Sequence, residues 1–152
     1  MSSGAWVVLV AVVLAVAFGV YRALTDGHFR GTHKLRGVEE AGAPAAVSVL
    51  DGTPWSDQLG ERATFVQFSS AFCAPCRATR RILTDAAAGA DGIAHVEIDA
   101  EQHLDLVRRV GIARTPTTLL LDADGVEVTR AVGAPTREQV ARTIASISPL
   151  GS

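Results

Sequence analysis

The chain has only two cysteines, and they are separated by two residues in the segment Cys73-Ala74-Pro75-Cys76. Thr64 to Ser69, before the pair, contain the apolar residues Phe65, Val66 and Phe68 and are typical of a short buried strand, and Ala78 to Ala88 are typical of a helix. Cys73 is therefore predicted to lie where a strand meets the start of a helix. Free N–H groups and the helix dipole stabilise a thiolate there, and a thiolate attacks disulfides. Cys76 lies about one turn further on, close enough to displace a group bonded to Cys73.

Two other uses of a cysteine pair fit this chain less well. A structural zinc site needs four nitrogen or sulfur ligands, and no second cysteine pair exists, while His28 and His33 lie far upstream. A disulfide that served only as a staple would close too short a loop to remove much unfolded-chain entropy. The sequence favours redox chemistry at the two thiols, which requires no metal and no organic cofactor.

Charge and length limit the other classes of function. The chain has 152 residues, with 14 Lys plus Arg against 16 Asp plus Glu, which suits one domain with a single core. The only dense basic cluster is Arg77, Arg80 and Arg81, and a solvated helix face explains it. We therefore expect no nucleic acid among the partners.

The N-terminal region contains an uncharged, mostly apolar run from Gly4 to Tyr21. As a helix it would span about 27 Å, close to the hydrocarbon thickness of a bilayer, with Trp6 and Tyr21 near the two interfaces. A cleaved signal peptide is the alternative, with Ala15-Val16-Ala17 as its cleavage site. No Lys or Arg precedes the run, however, and the run continues past that site. We predict a tail at 1–3 and a single-pass transmembrane helix at 4–24.

The side of the membrane is left open by the sequence. Basic residues follow the apolar run and are absent before it, which predicts a cytoplasmic C-terminal domain by the positive-inside rule. Many anchored thiol-redox domains lie outside the cytoplasm, so an extracytoplasmic domain is the second expectation.

A glycine-punctuated linker is predicted at 25–44 and one domain at 45–150. Ala46 to Leu50, followed by the turn Asp51-Gly52, is expected to form a short leading strand or hairpin arm. The later predicted elements are strands at Thr64–Ser69, Ile93–Ile98, Thr117–Leu121 and Val126–Arg130, and helices at Ala78–Ala88, at Leu104–Val110 with Gly111 as C-cap, and from Thr136 with Gln139 in a capping box. This order predicts an α/β domain in which a parallel strand pair is joined to an antiparallel hairpin.

Three separated segments resemble the thioredoxin family, and the resemblance extends from about Ala45 to Ile147. They are Phe72-Cys73-Ala74-Pro75-Cys76-Arg77, the stretch Val110-Gly111-Ile112 with Thr115-Pro116-Thr117, and Val132-Gly133-Ala134. The resemblance implies a thioredoxin fold, with a central mixed sheet flanked by helices after the N-terminal membrane helix. The opening Val47 to Leu59 looks more like the membrane-tethered, TlpA-like branch.

The resemblance also implies roles for individual residues. Cys73 is expected to be the nucleophile and Cys76 the resolving thiol. Pro116 is expected to be cis and to hold Thr115 beside the sulfurs, where its backbone pairs with an incoming strand. The remaining substrate-binding residues are expected to be Phe72, Pro75 and Gly133.

Two departures from the family pattern concern proton transfer. Gln67 stands where thioredoxins keep a buried aspartate, and an amide cannot carry a proton to or from the resolving cysteine. His95 stands where they keep a buried lysine, and we hypothesise that its imidazole takes over that step. A histidine that is merely exposed or satisfied in the core is the equal alternative.

The predicted function is that of a membrane-tethered thiol–disulfide oxidoreductase acting on protein thiols and disulfides. Ala74 and Pro75 lack the charge that strongly oxidising members carry, which favours a reductant. Its electrons would come from a reductase or a membrane-embedded thiol relay. A disulfide-inserting oxidase, a metal-binding module and a non-catalytic interaction module are the alternatives.

Overall fold

The computed structural model describes residues 3–25, 29–31 and 47–147. The elements in these ranges, in chain order, are α1 Ser3–Thr25, β1 Phe29–Gly31, β2 Ala63–Ser69, α2 Ala74–Ala88, β3 Ile93–Asp99, α3 Leu104–Val110, β4 Thr117–Asp122, β5 Glu127–Val132 and α4 Arg137–Ser146. The predicted tail before Ser3, most of the predicted linker and the domain end after Ile147 lie outside the described residues.

The strands form one mixed sheet in the order β1-β5-β4-β2-β3. β2 and β3 are parallel, because α2 returns the chain to the same end of the sheet, whereas the other neighbours are antiparallel. The predicted parallel pair and antiparallel hairpin are therefore confirmed, as is the sheet flanked by helices.

Side chains alternate between two apolar clusters along the central strands. Val66 and Phe68 pack with Leu106 of α3 on one face of the sheet. Phe65 packs with Leu83 of α2 and Val140 of α4 on the other face. Because successive residues of a strand point to opposite faces, β2 contributes to both clusters, and all seven of its residues are buried.

Two predicted caps are confirmed, and one predicted boundary is shifted. Gly111 ends α3 with a φ of 71°, a left-handed conformation that glycine adopts without a Cβ penalty. Thr136 and Gln139 form the capping box that starts α4. α2 begins at Ala74 rather than Ala78, so the segment between the cysteines belongs to its first turn.

The predicted leading strand at Ala46–Leu50 is wrong for the described residues 47–50, which form coil and a turn. The Ser48 side chain accepts a hydrogen bond from the Leu50 N–H at 3.3 Å, and such local bonds compete with a strand ladder.

Within the predicted linker, Phe29–Gly31 is a strand that pairs with β5. The Asp51-Gly52 turn is present, with a φ of 68° at Gly52.

The N-terminal apolar helix is present as α1. Its window Gly4–Tyr21 covers 18 residues with a mean hydropathy of 2.4, and none of that window is buried. By length and composition α1 is apolar enough to cross a membrane, and a signal sequence near the N-terminus meets the same criterion.

Candidate active site

The two cysteines occupy the N-terminus of α2. Cys73 is the N-cap, and its sulfur accepts a hydrogen bond from the Cys76 N–H at 3.1 Å. The pair is joined by a disulfide with a Cα–Cα distance of 5.2 Å. Pro75 lies in the first turn, where its missing N–H removes no helical hydrogen bond. Cys73 is partly exposed and Cys76 is buried, so an incoming group meets Cys73 first.

A second loop brings the predicted docking residues together. The Thr115–Pro116 peptide bond is cis, as the family resemblance implied. The Thr115 hydroxyl lies 3.1 Å from that of Ser70, which follows β2, and this contact ties the loop to the strand that leads into the cysteines. The Gly133 N–H donates to the Pro116 carbonyl at 2.8 Å. Thr115, Pro116 and Gly133 therefore share one edge.

Phe72 precedes the cysteines and is fully exposed, at 99%. The apolar surface of this ring is therefore available to a partner that approaches the disulfide. Its position is consistent with the apolar lip that the sequence predicts.

Gln67 lies beneath Cys76. Its side chain is fully buried, and its Nε2 donates to the Cys76 carbonyl at 2.9 Å. Its Oε1 has no hydrogen-bond partner in the described part of the chain. An amide at this place fixes the helix but cannot take up a proton.

His95 contacts α2 about two helical turns beyond the cysteines. Its Nδ1 is 3.2 Å from the hydroxyl of Thr84, which lies eight residues beyond Cys76 and therefore about 12 Å further along α2. Burial lowers the pKa of His95 below its ordinary value of 6.5, and Arg80 adds to this effect while Glu97 opposes it.

A polar cleft beside the disulfide was not anticipated from the sequence. It has a volume of about 440 Å³ and is lined by Ser69, Ser70, Ala71, Cys73, Cys76, Arg77, Arg80, Glu97 and Asp99. Glu97 accepts a hydrogen bond from the Ser69 hydroxyl at 2.5 Å and forms an ion pair with Arg80 at 2.5 Å. The sequence contained a signal for the position of Glu97, because side chains alternate along a strand and Glu97 therefore lies on the same face of the sheet as His95.

Two further features border this region. Hydrogen bonds from the Gln102 side chain and the Glu101 N–H hold the pKa of the Asp99 carboxyl below its ordinary value. A larger cleft of about 520 Å³ lies beside Trp55 and His103. It contains neither cysteine, so the cleft with the disulfide is the chemically relevant one.

Comparison with known proteins agrees with this geometry. The model of the family described as Thioredoxin matches residues 46–146. A putative thioredoxin from Arabidopsis thaliana is 27% identical over 97 residues, which are 60% of this chain and 62% of that protein. The chain thus spans less than two thirds of that relative.

Two solved structures share the fold. A mutant thioredoxin from Halobacterium salinarum has a TM-score of 0.58 at 23% identity, and a thioredoxin from Nicotiana alata has 0.55 at 24%. Each alignment covers 73% of this chain and 100% of the solved chain. At these identities the two structures support the fold alone. The family match over most of the chain, together with the Cys73–Cys76 disulfide at the start of α2, leads to one conclusion: the chain belongs to the thioredoxin family.

Proposed function

We propose that this chain is a membrane-anchored thiol–disulfide oxidoreductase that acts on disulfides in proteins. One observation carries the proposal: the Cys73–Cys76 disulfide lies at the N-terminus of α2, and the cis Thr115–Pro116 loop is tied to the strand that leads into it. Family membership and the cysteine pair both support this chemistry.

In the reducing direction, the Cys73 thiolate attacks one sulfur of a substrate disulfide. A mixed disulfide forms, and the other substrate sulfur leaves as a thiolate that takes up a proton. Cys76 then loses its proton and attacks the Cys73 sulfur. The Cys73–Cys76 bond forms as the bond to the substrate breaks, so the substrate gains two electrons and the protein loses two.

The docking edge is proposed to be Thr115 and Pro116, with Phe72 as an apolar lip and with Pro75 and Gly133 at its borders. An extended substrate segment would pair with the backbone of Thr115, which gives affinity with little dependence on side chains. The full exposure of Phe72 supports this arrangement.

For the direction of the reaction and the source of electrons, we propose a reductant served by a reductase or a membrane-embedded thiol relay. Ala74 and Pro75 carry no charge that would stabilise the reduced, thiolate form, and a less stabilised reduced form makes a cysteine pair more reducing. His95 is retained as a hypothesis for proton transfer, and its replacement by Gln should then slow exchange at neutral pH. Unchanged kinetics in His95→Gln would remove it from the mechanism.

Reduction of insulin with dithiothreitol tests the chemistry in the full chain. The wild-type protein should accelerate reduction, and Cys73→Ser should lower the rate to that of dithiothreitol alone, because the remaining thiol, Cys76, is buried. Cys76→Ser is the matched control, since it should still form the mixed disulfide but not resolve it. Equal rates with and without the wild-type protein would contradict the proposal.

The proposed arrangement has a tail at 1–3, a membrane helix at 4–24, a linker at 25–44 that includes β1, and a redox domain at 45–150, as in a TlpA-like protein. The exposed apolar surface of α1 supports the anchor. Alkaline carbonate extraction of membranes should leave the full-length chain in the pellet. A shortened chain in the soluble fraction would instead indicate a cleaved signal peptide.

Thiol labelling of intact cells can identify the side of the membrane on which the domain lies. An impermeant thiol reagent applied to intact cells should label reduced Cys73 only if the domain is extracytoplasmic. Protection until the cells are lysed would agree with the cytoplasmic orientation that the basic residues after α1 favour.

A further inference from the structure

Glu97 is the neighbour of Gln67 across the parallel strands β2 and β3. The two residues are register partners, and partners in a parallel pair project from the same face of the sheet. Gln67 reaches the Cys76 carbonyl on that face. A carboxylate is therefore present beneath the start of α2, one strand away from the amide.

The Glu97 side chain is held toward the cysteines. It forms hydrogen bonds with Arg80 at 2.8 Å and Ser69 at 2.5 Å. Arg80 lies four residues after Cys76, which places the two on the same side of α2, one turn apart. Glu97 also lines the cleft that both cysteines line, and its side chain is 24% exposed. The cleft has room for water between the carboxylate and the cysteines, and bridging water can connect polar groups that do not touch.

We propose that Glu97 carries the proton that Cys76 loses or gains during thiol–disulfide exchange, an inference that rests on the proposed function. When the mixed disulfide is resolved, the proton passes from the Cys76 thiol to the Glu97 carboxylate, directly or through one water. The Cys76 thiolate attacks the Cys73 sulfur, and the bond from Cys73 to the substrate breaks. The departing substrate thiolate then takes the proton from Glu97.

The other polar groups near Cys76 are less suited to this step. Gln67 cannot be protonated in the required way. His95 contacts Thr84, about two helical turns away. Asp99 lines the same cleft, but its register partner on β2 is Ser69 rather than Gln67, and its carboxylate is bound to Gln102 and the Glu101 N–H, which follow β3.

The test separates the attack by Cys73 from the resolution by Cys76. Reduced full-length protein is mixed with one equivalent of a chromogenic aromatic disulfide, which releases one coloured thiolate at each step. Glu97→Gln keeps the size and hydrogen-bonding capacity of the side chain. The rate of the first phase should stay within about twofold of the wild-type rate. The rate of the second phase should fall by about 10- to 100-fold. This is at or below the low end of general acid–base effects, because water also reaches the cleft.

The pH profile supplies a readout that a structural role would not change. Between pH 6 and 8 the second phase of the wild type should vary little, since a carboxylate acts as the base. In Glu97→Gln it should rise about tenfold per pH unit, since only hydroxide then removes the proton. Adding Gln67→Asp to Glu97→Gln should restore much of the rate by providing a carboxylate beneath Cys76.

Three outcomes would overturn the inference. A second phase that is unchanged in Glu97→Gln excludes Glu97 as the proton carrier. An equal slowing in Arg80→Gln, with the same pH profile as the wild type, would assign the effect to the ion pair instead. An equal slowing in Asp99→Asn, the matched control, would assign it to the charge of the cleft. Loss of the first phase in the wild type would refute the proposed function itself.

Discussion

The two faces of the central sheet are formed by the same strands but contain different kinds of side chain. On the α3 face, β2 and β3 contribute Val66, Phe68, Val96 and Ile98 to the core. The buried polar residue of β2 on that face, Thr64, has a hydrogen-bond partner, because its hydroxyl accepts from the Gly60 N–H at 2.9 Å. On the α2 face, apolar and polar residues follow each other along the same strands: Phe65 then Gln67 on β2, and Ile93 then His95 and Glu97 on β3.

The polar residues of the α2 face are not scattered. Gln67 is flanked by its register partners Glu97 on β3 and Thr118 on β4, so one row of polar groups crosses three strands. Gln67 and Thr118 are fully buried, and each has an oxygen without a partner in the described part of the chain. Buried polar atoms of this kind reduce stability, and active sites are where proteins retain them. The comparison indicates that one face stabilises the fold and the other supports the cysteines.

The variant Phe68→Ala tests this division of roles between the two faces, and its expected effect on the free energy of unfolding is the largest. The ring is fully buried on the α3 face, and its removal should lower the free energy of unfolding by about 3–5 kcal/mol. Urea denaturation of the full chain measures the loss. The rate of thiol exchange per folded molecule should remain within about twofold of the wild type, because Phe68 faces away from α2.

Phe72→Ala is the matched control, since it removes the same ring from a site with 99% exposure. It should change stability by no more than about 0.5 kcal/mol. It should slow the reduction of insulin but not of a small aromatic disulfide, which does not need the apolar lip. If Phe68→Ala slows exchange as much as Phe72→Ala does, the two faces do not have separate roles.

Local signals in the sequence were sufficient for most of the fold. The cap at Gly111 and the capping box at Thr136 are encoded within a few residues, and both are present. β1 was missed because three residues are too few for an alternating pattern to be recognised. The cis bond before Pro116 followed from the family resemblance, since local sequence alone favours trans.

The candidate site was predicted less completely than the fold. Cys73 and Cys76 were identified from their spacing, and the replacement of a family aspartate by Gln67 was recognised. The position of Glu97 beside Gln67 depends on the pairing of two strands that are separated by the whole of α2. Register of this kind is a long-range property, so the sequence indicated the missing proton carrier but not the neighbouring carboxylate.

The smallest expected effect concerns the pH dependence of stability at His95, on the α2 face. Desolvation lowers the pKa of His95 in the folded state, so the unfolded chain binds a proton more readily. The resulting stability is fully present above the ordinary pKa of 6.5 and is lost as the pH falls through the lower folded-state value. Urea denaturation at pH 7.5 and at pH 5 should therefore show a smaller acid-induced loss in His95→Gln than in the wild type.

His103→Gln is the control for this measurement, because His103 packs against Trp55 on the side of the sheet that carries α3. It should keep the acid-induced loss of the wild type. If His95→Gln also keeps that loss, protonation of the α2 face does not limit stability. If only His95→Gln reduces it and thiol exchange is unchanged, His95 is a desolvated core residue. The α2 face then divides along β3: His95 affects stability, and Glu97, which lines the cleft with Cys76, is the remaining candidate for proton transfer.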